Sequence, residues 1–214
     1  KHIGWDIGAA RITRGLSNSL DAVAVLAGIS RLVVDTNRHP GDPKSMPEDS
    51  DGITIPGNQG LSEVAKTLRM KEYFWPYHQK ISEEISRLWS RGKPPVLFSV
   101  HTFTPSMNGE DRPWHIGVLW NRDPRIAKRL IHELKNHPDK LNVGDNLPYS
   151  GNQFAYSLDI HAATLGLPNC AVEIRQDLAN TEQKVSYWVN LLSETLNKIL
   201  EKSEIKHAQF LEVV

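Results

Sequence analysis

Segments with helical periodicity alternate with short apolar runs along the chain. Apolar and small side chains recur at roughly helical spacing in four places, which predicts helices over residues 6–20, 61–90, 126–134 and 185–200. Pro76 lacks a backbone N–H and is expected to end or kink the second helix. Asp123 and Pro124 suit the N-cap and first turn of the third helix.

The apolar runs between these helices are short enough for strands. They predict strands at residues 22–27, 32–34, 96–100, 114–120 and 171–174. The run at residues 96–100 is continuously apolar, which favours a strand buried on both faces. Residues 41–60 are rich in Gly, Pro, Asp, Ser and Asn and predict an irregular loop. The alternation predicts an α/β fold of three layers, with helices on both faces of a mostly parallel sheet.

Three of the predicted strands end in polar or ionisable side chains. Residues 35–38 follow the run at 32–34, residues 101–104 follow 96–100, and residues 173–177 extend the run that begins at Ala171. Ligand groups collect at the carboxyl ends of the strands in a parallel sheet. We therefore expect the three polar clusters to converge on one rim and to form an active site.

Composition indicates the kind of ligand. The chain has 214 residues, 25 Lys plus Arg and 25 Asp plus Glu, so its formal net charge is zero. This balance does not favour nucleic acid or an anionic membrane surface as a partner, and a small polar ligand is the better expectation. A single domain over residues 1–214 is predicted from the length. The lone Cys170 favours a reducing, cytoplasmic setting.

Each polar cluster also has a purely structural interpretation. His101 after a buried strand is compatible with a core histidine bonded to a carbonyl. A carboxylate such as Glu173 on an apolar strand is costly unless it is paired or bound to a metal, and Arg175 or Arg38 would be its partner in a structural ion pair. Asp35 and Arg38 would pair within their own loop. For the remaining histidines other than His161, exposure or local capping is the expectation: His39, His78, His115, His132, His137 and His207.

Taken together, these residue types permit metal-assisted hydrolysis. A histidine at a strand end can help to hold a catalytic zinc, a nearby carboxylate can accept a proton from water, and an Arg beside an Asn can bind a substrate carboxylate by a two-pronged contact. Serine catalysis has little support, because no Gly-x-Ser-x-Gly sequence occurs. No Gly-x-Gly-x-x-Gly sequence or phosphate-binding loop occurs either, which disfavours nucleotide chemistry.

Seven blocks of the sequence, spread over nearly the whole chain, resemble the N-formylglutamate amidohydrolase family in the same order. They are residues 2–9, 30–38, 55–58, 76–78, 101–105, 112–119 and 173–178. The resemblance implies an α/β fold related to zinc carboxypeptidases. It also implies hydrolysis of the amide of an N-acyl amino acid, of which N-formylglutamate is the best-known example, with one zinc ion per chain.

The resemblance also implies roles for individual residues. His101 would be a zinc ligand, Asp6 a candidate ligand, and Glu173 the general base. The Asn37–Arg38 pair would hold a substrate carboxylate. Further residues expected in the substrate site are Asp35, Arg112, His161 and Arg175.

Family members carry, upstream of the block at residues 2–9, a short motif with a histidine expected to bind the metal. Two expectations follow: either an N-terminal segment precedes this sequence and supplies that ligand, or the metal site is incomplete. Two alternatives remain open at this stage: a non-catalytic protein that binds an acylated amino acid on the same scaffold, and a zinc amidase that cleaves a peptide or cell-wall fragment. The oligomeric state is not indicated.

Overall fold

The computed structural model describes residues 3–107, 109–151 and 155–210. The helices are α1 (Ala9–Leu20), α2 (Glu63–Arg69), α3 (Trp75–Trp89), α4 (Ala127–Lys135), α5 (Tyr156–His161) and α6 (Glu182–Leu200). The strands are β1 (Asp49–Ser50), β2 (Ile53–Thr54), β3 (Leu97–Phe103), β4 (Ser106–Met107), β5 (Glu110–Asp111), β6 (Ile116–Leu119), β7 (Val143–Asp145) and β8 (Asn169–Arg175).

Four of these strands form the central sheet, in the order β3–β8–β6–β7. The β3–β8 and β6–β7 pairs are parallel, whereas β6 and β8 are antiparallel. The prediction of a mostly parallel sheet is confirmed. The other strands form two short antiparallel hairpins, β1–β2 and β4–β5.

Helices cover both faces of the sheet, as predicted. On one face, α1, α4 and α6 pack over alternate residues of the strands, including Val172, Ile174 and Val118. On the opposite face, α3 and α5 pack near Leu97 and Ala171. Since side chains alternate along a strand, the odd-numbered residues of β3 and β8 face α3 and α5. His101 and Glu173 belong to that second set.

The predicted helix near the C-terminus is confirmed as α6, the longest helix. Thr181 caps it by accepting a hydrogen bond from the Lys184 amide, and Trp188 and Leu192 are buried in the core. Its other face is polar. Within the part of the chain that the structure describes, no helix combines the length and the apolar character needed to cross a bilayer.

The strands predicted at residues 22–27 and 32–34 are wrong. Residues 23–27 have no regular structure, and residues 31–33 form a turn. In that turn the Leu32 carbonyl accepts a hydrogen bond from Asn58, and the Val33 carbonyl accepts one from Arg69. Side chains from distant loops thus satisfy backbone groups that a neighbouring strand would otherwise pair, which local apolar character does not reveal.

The other predicted strands were placed correctly but differ in detail. The run at residues 96–100 overlaps β3 from Leu97 onward, but this strand is half-buried rather than buried on both faces, because β3 is the edge of the sheet. The strand predicted at 114–120 is the shorter β6. The strand predicted at 171–174 is the slightly longer β8.

Two helix boundaries also differ from expectation. Pro76 does not end the second helical segment; a π-helical turn, Met70–Phe74, directly precedes α3 and accommodates the missing N–H. The helix α4 begins at Ala127 rather than at Pro124. Asp123 instead accepts hydrogen bonds from the backbone and the guanidinium of Arg125.

Candidate active site

The register of β3 and β8 places His101 directly beside Glu173. The two residues are paired across the parallel strands, and their side chains leave the same face of the sheet. On the other side of β8, Gly117 is the register partner of Glu173. Two of the three predicted polar clusters therefore converge at the strand ends.

Asp6 joins this pair from the loop before α1. Its Oδ2 accepts a hydrogen bond from His101 Nδ1 at 2.8 Å, and its Oδ1 accepts one from Arg31. The Thr102 amide also donates to the Asp6 carboxylate. Asp6 therefore holds one ring nitrogen of His101, and His101 Nε2 is left facing Ser99 Oγ at 3.1 Å.

The charged groups of this cluster stabilise one another in their ionised forms. Burial alone would lower the pKa of His101, but the hydrogen bond to Asp6 and the charges of Asp6 and Glu173 raise it to about 9. Burial alone would raise the pKa of Asp6, but His101 and Arg31 leave it below its ordinary value. The pKa of Arg31 is raised, because the three nearby carboxylates, including Asp35, outweigh its burial. Asp6 is therefore ionised at neutral pH.

Glu173 lies in a different environment from Asp6. Its side chain is buried, and Oε2 has no hydrogen-bond partner within the described ranges. Burial raises the pKa of Glu173 to about 7, although His101, Arg31 and Arg112 act in the opposite direction. No ion pair joins Glu173 to Arg175 or Arg38 in the described residues, so the structural ion pair considered from the sequence is not formed. A buried carboxyl group with a pKa near neutrality is suited to exchange protons with a substrate or water.

Arg112 and Tyr149 both interact electrostatically with Glu173. Arg112 Nη1 donates to Tyr149 Oη at 2.8 Å, and its guanidinium carbon lies 4.9 Å from the Tyr149 ring centroid. The loop before Tyr149 approaches the sheet closely at Gly117, where a Cβ atom would lie 2.0 Å from the Leu147 carbonyl oxygen. Glycine at 117 therefore allows this loop to pack beside Glu173.

The third predicted cluster reaches the site through Asn37. Its Oδ1 accepts a hydrogen bond from the Ser157 amide, which directs Nδ2 to within 3.5 Å of His101 Nε2. Asp35 accepts a hydrogen bond from the Asn37 amide and shapes the turn. Asp35 and Asn37 both line a cavity of about 680 Å³ whose polar end also includes Asp6 and His101.

Two of the predicted substrate residues are engaged in local ion pairs. Arg38 Nη1 lies 3.1 Å from Asp42, and its Nε lies 3.4 Å from Asp35. Arg175 Nε lies 2.8 Å from Asp177. The pairing of Asp35 with Arg38 that the sequence suggested is therefore present, and the role of Arg38 in substrate binding stays a prediction.

His161 is buried behind the site, in a chain of hydrogen bonds with His78. His161 Nε2 lies 2.8 Å from His78 Nδ1, and His78 Nε2 lies 3.0 Å from the Thr36 carbonyl. Ser82 Oγ lies 3.3 Å from His161 Nδ1. One set of neutral tautomers satisfies every link: Ser82 donates to His161, His161 to His78, and His78 to Thr36. The chain fixes the backbone immediately before Asn37.

The expectation that His78 is exposed or a local cap was therefore wrong. It is 5% exposed, because α3 carries it inward against Phe74 and Tyr156. Sequence reasoning also missed Arg31 and Tyr149 as site residues. Arg31 and His78 lie inside blocks that carried the family resemblance, which was the available signal for them. Tyr149 lies outside those blocks and gave no such signal.

The described residues do not supply a complete metal site. They contain no group of three or more His, Cys, Asp or Glu side chains placed to hold one ion. His101 has a feature of metal-binding histidines, since a carboxylate holds Nδ1 while Nε2 faces the cavity. In this position Asp6 orients His101, and its assignment as a ligand stays a prediction. Cys170 is buried and its pKa is raised by burial, which excludes it as a thiolate nucleophile at neutral pH.

Comparisons with known proteins identify the class. The sequence model of the N-formylglutamate amidohydrolase family matches residues 1–179. The chain therefore belongs to the N-formylglutamate amidohydrolase family and is an amidohydrolase by class. No curated protein matches the sequence.

Two solved structures are similar to the chain. The gene product Atu2144 of Agrobacterium tumefaciens is 33% identical, with a TM-score of 0.87 over 97% of this chain and 81% of that one. An N-formylglutamate amidohydrolase from Ralstonia eutropha JMP134 is 15% identical, with a TM-score of 0.61 over 89% of this chain and 80% of that one. Because the Ralstonia protein is only 15% identical to this chain, its similarity shows a shared fold and nothing more.

The His78–His161 pair predicts a specific dependence of stability on pH. Burial and the neighbouring His161 lower the pKa of His78 to about 4, and burial also lowers that of His161. A histidine with a depressed pKa in the folded protein stabilises the fold fully above its ordinary value near 6.5, and this contribution is lost as the pH falls toward 4. His78→Gln, which retains a donor and an acceptor, should reduce this loss. The urea midpoint should therefore fall less between pH 6.5 and 4 in H78Q than in the wild type.

His132→Gln is the matched control, since His132 is exposed on α4. It should keep the wild-type pH dependence. If the urea midpoint falls equally between pH 6.5 and 4 in H78Q and in the wild type, the two buried histidines do not titrate as the hydrogen-bond chain requires.

Proposed function

We propose that the protein hydrolyses the amide bond of an N-acyl amino acid of the N-formylglutamate type and releases the acyl acid and the free amino acid. Membership in the amidohydrolase family supports the reaction class. The observation that carries the proposal is Glu173, a buried carboxyl group with an unpartnered oxygen and a pKa of about 7 beside His101.

In this reaction Glu173 is the general base. A water molecule attacks the amide carbonyl carbon while Glu173 accepts one of its protons. The C–N bond then breaks, and Glu173 transfers that proton to the leaving nitrogen. A carboxyl group whose pKa lies near neutrality can perform both transfers at pH 7. Its buried position keeps the carboxylate away from competing bulk water.

The cationic groups around Glu173 would stabilise negative charge. Arg31 and Arg112 act electrostatically on Glu173, and we propose that they stabilise the negative charge that develops on the carbonyl oxygen. Asn37 and Arg38 are proposed to hold the substrate carboxylate, as the family resemblance implies. When the substrate binds, Arg38 would release Asp42 or Asp35 and would pair with the substrate carboxylate instead.

A zinc ion is proposed as the cofactor, one per chain. His101 would hold it through Nε2 with ligands outside the described residues, because those residues contain no group of three. Asp6, the other predicted ligand, would bind the ion only after it released Nδ1 of His101. A bound zinc ion supplies an acidified water molecule and polarises a carbonyl group. A cytoplasmic location likewise remains a prediction.

Replacement of the proposed base tests the function. Glu173→Gln keeps the shape of the side chain but removes its ability to accept a proton, so kcat for formate release from N-formylglutamate should fall by about 10²–10⁴-fold. Binding of the substrate, measured by calorimetry, should change little. Glu63→Gln, on the exposed surface of α2, is the control and should keep wild-type activity.

Retention of near-normal turnover by E173Q would remove Glu173 from the base role. Absence of turnover in the wild type, purified with its natural N-terminus and supplied with zinc, would favour the non-catalytic binding protein. Release of acyl groups from peptide fragments but not from N-formylglutamate would favour the peptide amidase.

The carboxylate-binding role of Arg38 can be separated from that of Arg112. Arg38→Met should raise KM for N-formylglutamate by about 10–100-fold with a smaller change in kcat, because a charge-assisted contact to the substrate is worth about 1.5–3 kcal/mol. The control is the corresponding amide substrate without an α-carboxylate, for which R38M and the wild type should differ little. If instead Arg112→Met raises KM selectively and R38M does not, Arg112 is the carboxylate-binding residue and Arg38 serves only its loop.

A further inference from the structure

Two helices hold the Thr36 carbonyl, which directly precedes Asn37. His78 Nε2 of α3 donates to this oxygen at 3.0 Å, and Ser157 Oγ of α5 donates to it at 3.3 Å. Thr36 is buried. Because any movement of the loop would break two hydrogen bonds away from water, the peptide that leads into Asn37 has a fixed position.

The side chain of Asn37 is fixed in one orientation by the same helix, α5. The Ser157 backbone N–H lies 3.0 Å from Asn37 Oδ1. A backbone N–H can only donate, so the amide atom that faces Ser157 must be the oxygen, and the amide nitrogen is turned towards His101. Asn37 therefore presents hydrogen-bond donors to the polar end of the cavity, and a ligand atom that meets them there is an acceptor.

The hydrogen bonds behind His78 stabilise the tautomer that donates to Thr36. His161 Nε2 lies 2.8 Å from His78 Nδ1, and Ser82 Oγ lies 3.3 Å from His161 Nδ1. Burial lowers the pKa of both histidines, so both rings are neutral at pH 7. Because His161 donates to Nδ1 of His78, the single proton of the His78 ring lies on Nε2, where the Thr36 carbonyl accepts it.

This chain of buried polar groups ends at the Asn37 loop. His78 and His161 are both buried, and apolar side chains would fill the same space with a smaller desolvation penalty. The helix α5 carries Ser157 near its first residue and His161 at its last, so both ends of one short helix act on the same loop. The side chain whose position these contacts determine is that of Asn37.

We propose that three positioning residues hold Asn37 as a hydrogen-bond donor towards the α-carboxylate of the substrate. They are His78, His161 and Ser157. The inference rests on the proposed function, in which Asn37 and Arg38 bind that carboxylate. It also gives a reason for selectivity: Asn37 cannot turn its oxygen to the ligand without losing the Ser157 hydrogen bond. A carboxylate offers an acceptor with either oxygen, whereas a carboxamide offers one with its oxygen only.

Two substitutions at position 78 test the proposal. His78→Leu removes the donor to Thr36, whereas His78→Gln places an amide N–H close to the position of the imidazole Nε2–H. KM for N-formylglutamate should rise by about tenfold in H78L with a smaller change in kcat, because a displaced Asn37 loses its charge-assisted contact to the substrate. H78Q should recover most of the wild-type KM. For the corresponding α-carboxamide substrate, KM should change less in H78L.

The position of Asn37 can also be measured without turnover. In protein labelled with ¹⁵N-asparagine, the side-chain amide signal of Asn37 is assigned by its absence in Asn37→Asp. H78L should shift this signal, and H78Q should return it towards the wild-type position. Because leucine and glutamine both lack the imidazole ring, a difference between the two variants reports the hydrogen bond to Thr36 rather than a lost ring current.

Val189→Ala is the matched control for a loss of stability. Val189 is buried in the core, where α6 packs against α1 at Gly15. Its truncation should lower the Tm by about 3–8 °C. Because this site lies outside the contacts of the Asn37 loop, KM and the Asn37 signal should stay as in the wild type.

Two results would overturn the proposal. One is an H78L protein whose Asn37 signal and KM match those of the wild type. The other is an equal rise of KM in H78L and V189A, which would reduce the histidine chain to general stability. Absence of turnover in the wild type would contradict the proposed function alone. The Asn37 signal would then decide the positioning role: a shift in H78L that H78Q reverses supports it, and an unchanged signal overturns it.

Discussion

The cross-strand pairing of His101 with Glu173 is the interaction on which the rest of the site depends. Parallel pairing of β3 and β8 puts an imidazole and a carboxyl group side by side on one face of the sheet. Asp6 then holds the far side of His101, while Glu173 remains without a partner for one oxygen. Two carboxyl groups thus have different environments around one histidine: Asp6 is stabilised as an anion, and Glu173 is kept near the point of protonation. This separation of roles resembles the way enzymes divide acid and base functions between neighbouring carboxyl groups.

The loop that carries Asn37 shows how distant parts of the chain support this pairing. The Thr36 carbonyl is held by His78 of α3, the Asn37 side chain by the Ser157 amide, and the preceding turn by Asn58 and Arg69. These contacts join segments separated by tens of residues. They explain why residues 55–58 and 76–78 carried the family resemblance although neither contains a residue of the reacting site: their side chains position the loop.

Much of the fold was predictable from periodicity, because α6, β3 and β8 bury regular apolar patterns. The convergence of the clusters that contain His101 and Glu173 followed from the rule that strand ends collect functional groups, whereas their direct pairing across β3 and β8 did not. The strands predicted at residues 22–27 and 32–34 failed for a different reason. Residues 23–27 pair with no described strand, and the Leu32 and Val33 carbonyls accept hydrogen bonds from the side chains of Asn58 and Arg69. Arg31 and Tyr149 were missed because their importance depends on long-range proximity to Asp6 and Arg112, which spacing along the chain does not express. The antiparallel pairing of β6 with β8 is likewise a property of the whole sheet.

The ionisation of Glu173 tests the central claim most directly. It is measured by ¹³C NMR of protein labelled at the glutamate δ-carbons, with the Glu173 signal assigned by its absence in E173Q. The account predicts a Glu173 signal that titrates near pH 7, well above the ordinary value for a glutamate. Titration of Glu173 at the ordinary value near 4.5 would contradict it, since a carboxyl group fully ionised throughout the neutral range would lack the proton-exchanging character on which the proposed hydrolysis rests.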